Sequence, residues 1–362
     1  MGKKILTVNL GSMSKKYSFY TNNNRLFDLK IYRLDNKYFA YFFSNYKKEN
    51  KEISIKEFYN SANYVFKILN NFGFEFVDAI GFRVVAPGKY FLNHKRIDNN
   101  YMKKLKYYSE LAPLHIKPLI DEILKIRKLT NAKFFGISDS VFHSNIQGVA
   151  RYYAINKNIS DKLEVLRYGY HGIALQSVIN QIKEKYKKLP DKIIVCHLGG
   201  GSSITCIKNG KSFDTSMGFT PLEGIFGSSR CGDIDLNAVN YLIKKLSIKQ
   251  DYFNYETGFF GLTGFSDLRD VLDLNNKGNK NAIFALELYS YKIKKYIGSY
   301  YAAMNGLDFL VFSGAVGENS QFVRTLVCKN LEALGINPNK ILVVKTDEEK
   351  EIIKEVNKLM NL

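Results

Sequence analysis

The feature that most constrains this chain is a strand, a turn of small residues and a second strand, an arrangement that occurs twice about half a chain apart. The first copy is KKILTVNLGSMSKKYSFYTNN at 3–23, and the second is DKIIVCHLGGGSSITCIKNGKSFDTS at 191–216, where Asn209-Gly210 is a two-residue hairpin signal leading into a third strand. Two such units so far apart predict a duplicated domain rather than a short-period solenoid. With 362 residues, the chain is also too long for one comfortable hydrophobic core.

Helical and strand patterns alternate between and after the two copies. SIKEFYNSANYVFKILNNFG at 54–73 carries Phe58, Tyr59, Val65, Phe66 and Leu69 on one helical face and stops at Gly73. DAIGFRVVAPG then reads as a strand that delivers Arg83 near its end, where side chains of an α/β sheet meet ligand. A helix near 117–128 leads to the strand KFFGISDSVFH, whose exit carries Asp139 and His143. LDFLVFSGAVGENS predicts a buried strand, a glycine turn and a helix running to Gly335 as its C-cap. The last unit, KILVVKTDEEKEIIKEVNKLM, predicts a strand and a helix, with Thr346 and Glu349 spaced as a capping box and Ile352, Ile353, Val356 and Leu359 along one face.

Composition narrows the class. Apolar runs such as YFAYFF and FLVF fall far short of the roughly 20 residues of a membrane helix, and the first residues lack the apolar core of a secretory signal. Four cysteines without a CxxC pair predict a reducing, cytoplasmic setting and no zinc site. A net charge of +19 invites a nucleic-acid reading, yet the lysines are scattered among Asn, Ile, Tyr and Phe rather than focused, which predicts solvated faces and disfavours a nucleic-acid partner. Only ten of the 53 basic residues are arginine, so Arg83 and Arg230, each inside a glycine-bearing motif, stand out as forked donors.

Glycine lets backbone approach a ligand closely, and amide and hydroxyl groups around it can cradle phosphate. Gly11, Ser12 and Ser14 form one such turn, Gly199, Gly200, Gly201, Ser202 and Ser203 a second, and SGAVGEN a third. Each taken singly reads more readily as an ordinary tight turn, the set together counts for more, and no GxxxxGK[ST] run is present.

DTSMGFTPLEGIFGSSRCGDID at 214–235 is specific, and it resembles the signature of acetate kinases. VNLGSMSKK, GFRVV, LAPLH, DSVFH, RYGYHG, CHLGGGSS, TGFFGLTGFSDLRD, VFSGAVGEN and KTDEE follow the same family's order through nearly the whole chain. The resemblance implies an α/β fold of two duplicated ribonuclease H-like (actin-like ATPase) domains around a nucleotide cleft. One lobe would comprise 1–141 with the C-terminal helix 349–362, the other 142–348. It implies reversible phosphoryl transfer from ATP to acetate, giving acetyl phosphate and ADP. A carboxylate is already ionised at neutral pH and needs no general base, so the chemistry demands positive charge to bring an anion to a polyanion.

By that resemblance Arg83, Asp139, His171 and Arg230 would be catalytic. The two arginines would hold carboxylate and phosphoryl, and His171 would donate to the phosphoryl oxygens. Asp139 reads either as a carboxylate that orients the cluster and touches metal-bound water or as a buried partner of an arginine. Asn9 and Glu348 would hold Mg2+, with Mn2+ as an alternative, while Glu349 is read as the helix cap. Ser12, Ser14, Lys16, His197, Gly199, Gly200 and Gly201 would meet phosphate, and Asp267, Arg269, Ala315, Val316 and Gly317 would lie near the adenosine. Val85, Leu114, Tyr170 and Pro221 would line a small acyl pocket, and His115 and His143 would shape the cleft from behind. Family members are generally homodimers, which the resemblance extends to this chain.

The chain departs from the family pattern near this chemistry. Phe82 and Ala86 replace histidines, Ile116 an asparagine, Leu175 a histidine, Gly200 an asparagine and Ala315 a glycine, while Tyr170 stands where phenylalanine is usual. Those departures keep two alternatives open: a propionate- or butyrate-type carboxylate kinase, and a catalytically weakened nucleotide-binding homologue.

Overall fold

The computed structural model describes residues 2–11, 14–34, 37–44, 47–74, 76–146 and 148–361. The chain divides into two compact units, Met1–Val141 with Asp347–Leu362, and Phe142–Thr346.

The first unit is built on an eight-stranded sheet. β1 (Lys4–Leu10), β2 (Ser14–Thr21), β3 (Asn24–Leu34), β4 (Lys37–Ser44) and β5 (Lys48–Ile53) form an antiparallel meander. On the other side of β1 lie β6 (Ala79–Val84) and β8 (Lys133–Ser138), both parallel, with the short β7 (Lys95–Arg96) at the far edge. The second unit has five strands in the order β11 (Lys211–Thr215), β10 (Ser202–Lys208), β9 (Lys192–Leu198), β12 (Phe309–Ser313) and β13 (Ile341–Val343). In both sheets a three-stranded meander is continued from its first strand by two parallel strands: β3-β2-β1-β6-β8 in one and β11-β10-β9-β12-β13 in the other. This shared order is the duplication expected from the two strand-turn-strand segments. β4, β5 and β7 are additions to the first copy.

The hairpins form for local reasons. Asn22 and Asn23 (φ 50° and 67°) join β2 to β3, and Asn209 and Gly210 (φ 51° and 76°) join β10 to β11. These are left-handed pairs whose twist matches the flanking strands. Each sheet has its own apolar core. Leu6, Val8, Phe19, Phe82 and Val84 pack with helices Ser61–Asn71 and Pro113–Arg127 in the first unit. Ile194, Cys196, Leu310 and Phe312 pack with the 25-residue helix Lys280–Met304 in the second.

Three helix expectations need correction. The helix expected over 54–73 is two, Ile55–Tyr59 and Ser61–Asn71, because Asn60 leaves helical geometry (φ −103°, ψ 39°). A reciprocal Ser54–Glu57 capping box starts the first. The helix expected to run from the SGAVGEN turn to Gly335 is broken at Ser320, whose extended backbone ends Gly314–Asn319 and whose hydroxyl caps Gln321–Cys328. Thr346 and Glu349 do not form a capping box: Asp347 caps Glu348–Met360 by accepting from the Lys350 amide, and the Thr346 hydroxyl donates to Glu318 Oε1 at 3.2 Å. Among the described residues no helix is long and apolar enough to cross a membrane.

Candidate functional site

In the first unit, five of the singled-out residues meet where β1, β6 and β8 end and β2 begins, beside the start of helix Glu348–Met360. Asn9 lies opposite Lys16 across the β1–β2 ladder, which puts both on one face of the sheet. Asn9 uses both ends of its amide. Its Oδ1 accepts from Arg83 Nη1 at 3.1 Å, and its Nδ2 donates to Glu348 Oε2 at 2.6 Å and to Glu349 Oε1 at 3.1 Å.

Arg83 also donates from Nε and Nη2 to Asp139 Oδ2, at 3.0 and 2.6 Å. Asp139 is fully buried, so this pair is tolerable only because the guanidinium is satisfied on several sides. The same pairing fixes the orientation of the Arg83 guanidinium. Burial would lower the pKa of Arg83, but Asp139, Glu348 and Glu349 more than offset it and hold the guanidinium charged. Lys16 follows the same logic: burial opposes its charge, while Glu349 and Glu348 raise its pKa.

Glu349 is the functional candidate that reading the sequence missed. Its carboxyl is pushed up first by burial and further by Glu348, against the opposing pull of Lys16 and the Asn9 amide. The available signal was periodicity: Glu349 lies three and four residues before Ile352 and Ile353, which are buried, and so shares their inward face. Two adjacent carboxylates, held side by side by the Asn9 amide nitrogen, suit a hard cation that keeps water and phosphate as its remaining ligands. Among the described residues no group of three or more His, Cys, Asp or Glu gathers as a self-sufficient metal cage. Ser14, half-buried, accepts the Gly11 amide on its carbonyl at 2.8 Å, closing the first turn, whereas Ser12 lies outside the described residues. Val85 is buried two residues beyond Arg83, and Leu114 is half-buried in the first turn of helix Pro113–Arg127.

In the second unit the glycine turn between β9 and β10 is the focus. His171 is the N-terminal boundary of helix Gly172–Tyr186 and adopts a left-handed backbone (φ 61°), a strain a non-glycine residue carries only where its surroundings impose it. Its Nδ1 meets Ser203 Oγ at 2.9 Å. His197, at the end of β9, meets Ser313 Oγ at 3.1 Å through Nδ1, and the two imidazoles lie 4.6 Å apart between centroids. Arg230 is buried and donates from Nη1 to the Pro221 carbonyl at 3.2 Å.

Gly201 explains why this turn needs glycine. A Cβ there would stand 2.1 Å from Arg230 Nη2 and 3.4 Å from His171 Nε2, so the missing side chain is the space in which these groups converge. The Gly200 carbonyl accepts from the Ser228 amide at 2.9 Å and ties the turn to the segment that presents Arg230. A guanidinium, two imidazoles, nearby hydroxyls and a helix N-terminus around one concavity make a set of donors for an anion with several oxygens. Ser203 and Ser313, which meet the imidazoles, were read as parts of phosphate-sized turns and not as partners of His171 and His197. Their signal was position, one in the glycine turn and one ending β12.

Tyr170 is buried, its hydroxyl donating to the Phe219 carbonyl at 2.6 Å. Asp267 caps helix Leu268–Asn276 and forms a close ion pair with Arg269, whose side chain is exposed. Ala315, Val316 and Gly317 form the short helix after β12, with the Gly317 carbonyl accepting from Arg324 at 2.8 Å. His143 lies behind Tyr170 with no exposed surface, and His94, outside the matched motifs, accepts the Ser138 amide on Nδ1 at 3.1 Å.

A model of the acetokinase family matches residues 4–361. The chain belongs to the acetokinase family. It is 39% identical over 310 residues to the acetate kinase of Flavobacterium johnsoniae, covering 78% of each chain. Among solved structures, a propionate kinase from Francisella tularensis matches with a TM-score of 0.88 at 30% identity over 98% of both chains. Porphyromonas gingivalis acetate kinase matches with a TM-score of 0.82 at 30% identity, over 99% of this chain and all of the other. The family assignment and the paired α/β sheets agree with the resemblance carried by the signature segment.

Proposed function

We propose that the protein is an acetate kinase, transferring the γ-phosphoryl group of ATP to acetate to form acetyl phosphate and ADP. The observation that carries this reading is the convergence of Arg230 and His171 on the space left by Gly201, within a chain of this family. Attack by an acetate oxygen on the γ-phosphorus brings two anions together, and the transition state spreads charge over the phosphoryl oxygens. Arg230 offers a fixed fork to those oxygens, and His171, oriented by Ser203, donates from its other nitrogen. His197 serves the phosphate chain from the same turn. Arg83, locked by Asp139 and Asn9, neutralises the incoming carboxylate.

The donor set of Asn9, Glu348 and Glu349 fits Mg2+ delivered with ATP. That ion would supply charge neutralisation at the phosphate oxygens, and this chain's own part is to hold its carboxylates side by side through the Asn9 amide. Mn2+ prefers similar ligands and would substitute. Lys16 and Ser14 of the first turn face phosphate, and Asp267, Arg269 and the Ala315–Gly317 turn serve the adenosine. Val85, Leu114, Tyr170 and Pro221 bound a short acyl tail. A propionate-type preference is the neighbouring reading, favoured by the likeness to the Francisella enzyme.

Incubating the protein with ATP, Mg2+ and acetate and trapping the product with hydroxylamine tests the reaction. Acyl hydroxamate should appear and should vanish with EDTA. Absence of product from acetate, propionate and butyrate alike would favour the weakened homologue.

We also place the protein in the cytoplasm, in keeping with four unpaired cysteines, and assign it a homodimeric state. Helix Leu236–Leu246 is amphipathic yet buries none of its residues, leaving Leu236 79% and Leu246 59% exposed at the ends of its apolar stripe. Such a face favours a second copy as its cover. Light scattering should give twice the chain mass, and a monomer at micromolar concentration would refute the assignment.

A further inference from the structure

Arg230 touches a wall as well as a turn. The segment Gly218–Pro221 runs beside its guanidinium, and four of its backbone groups are engaged by residues outside it. The Gly218 carbonyl accepts from the Tyr168 amide at 3.0 Å. The Phe219 amide donates to Tyr153 Oη at 2.7 Å, the Phe219 carbonyl accepts from Tyr170 Oη at 2.6 Å, and the Pro221 carbonyl accepts from Arg230.

Tyr170 is itself fixed at its other end. Its carbonyl lies 2.9 Å from His143 Nε2, and His143 Nδ1 lies 2.8 Å from Ser212 Oγ. A carbonyl only accepts, so Nε2 carries the proton and Nδ1 accepts from the serine. Burial, with Arg151 also lowering it against the pull of the Tyr170 carbonyl, pushes the His143 pKa down to about 4, which keeps this arrangement neutral. The tyrosine therefore stands between an anchored backbone and the Phe219 carbonyl as a strut of set length.

We infer that the Tyr170 hydroxyl is the specificity-determining group of the acyl pocket: by clamping Phe219 it prevents the Thr220–Pro221 wall from yielding to a longer carboxylate tail. The inference rests on the carboxylate kinase reading, in which the tail of the acid bound at Arg230 lies against this wall. A rigid wall rejects an added methylene by overlap, whereas a wall free to shift accommodates it, and one methylene is worth about 10- to 200-fold when it is fully discriminated. Phenylalanine, usual at this position in the family the chain resembles, fills the same volume without the strut. The chemistry selected is thus a two-carbon acid over three- and four-carbon ones.

The test is Tyr170→Phe in the full-length chain, read in two ways. Hydrogen exchange measured by mass spectrometry on the peptide spanning 216–223 reports the clamp without reference to catalysis. Hydroxamate assays with acetate, propionate and butyrate report selectivity as ratios of kcat/KM. Exchange in that peptide should accelerate several-fold. The acetate-to-propionate and acetate-to-butyrate ratios should fall about three- to tenfold, with the change residing in KM for the longer acids. Tyr153→Phe, which loosens the same segment from its amide side and sits outside the proposed site, should shift the ratios in the same direction and serves if the first variant folds poorly. Unchanged exchange, or faster exchange with ratios within twofold of wild type, overturns the inference. A wild-type protein that phosphorylates none of the three acids, while Tyr170→Phe still speeds exchange, overturns instead the kinase reading on which selectivity depends.

Discussion

The two units hold their cationic side chains through different kinds of contact. In the first, charges are matched internally: Arg83 with Asp139, Lys16 with Glu348 and Glu349, and Asn9 bridging cation and anion through one amide. In the second, Arg230 donates to the Pro221 carbonyl, and His171 and His197 meet the hydroxyls of Ser203 and Ser313. A self-matched network keeps its geometry whether or not ligand is present. One sheet topology, used twice, has therefore been adapted to hold a network in one copy and to present donors in the other.

The largest expected effect tests the matched side of this contrast. Asp139→Asn leaves the Arg83 guanidinium buried with its principal counter-charge gone, and should cost about 3–5 kcal/mol of stability in urea unfolding together with most activity. A loss below about 1 kcal/mol would mean that the pair is not what holds β6 and β8 in register at this end. The next effect tests the donor side. Arg230→Ala should lower kcat about 10²- to 10³-fold while costing less stability than Asp139→Asn, and Arg230→Lys should restore little because a point charge cannot replace the fork. Should Arg230→Ala prove the more destabilising of the two, the contrast between the units would be reversed.

What the sequence made legible follows the same division. The paired meanders were readable because hairpin turns are local: Asn209-Gly210 needs left-handed backbone and uses residues that tolerate it. Arg83, Arg230 and His171 stood out because each sits in a motif resembling a family that matches across nearly the whole chain. Tertiary choice decided the rest. Thr346 and Glu349 have capping-box spacing, yet Asp347 wins the cap and frees Glu349 for Asn9 and Lys16, a competition that neighbours distant in sequence settle. The break at Ser320 was similarly hidden, since glycine and serine there are compatible with a continued helix and only the docking of two short helices shows otherwise. Ser203 and Ser313 sit in glycine-bearing motifs, but they come from separate strands, so their pairing with the imidazoles carries no local signature.

The smallest effect concerns what stands behind the donor cluster. His143 has its pKa lowered to about 4 by burial, whereas an unfolded histidine titrates near 6.5. Between those values the unfolded chain binds the proton that the folded chain refuses, so stability contributed by neutral His143 is full above about pH 6.5 and is lost as pH falls toward 4. The slope is at most about 1.4 kcal/mol per pH unit, and about 1 kcal/mol over the first unit below 6.5. His143→Gln keeps a donor toward the Tyr170 carbonyl but has nothing to titrate. The difference in unfolding free energy between wild type and this variant should therefore shrink or reverse as pH drops from 6.5 to 4.5. A difference that stays flat across that range would mean that His143 is charged in the fold, which its contact with a carbonyl on one side and the field of Arg151 on the other both oppose.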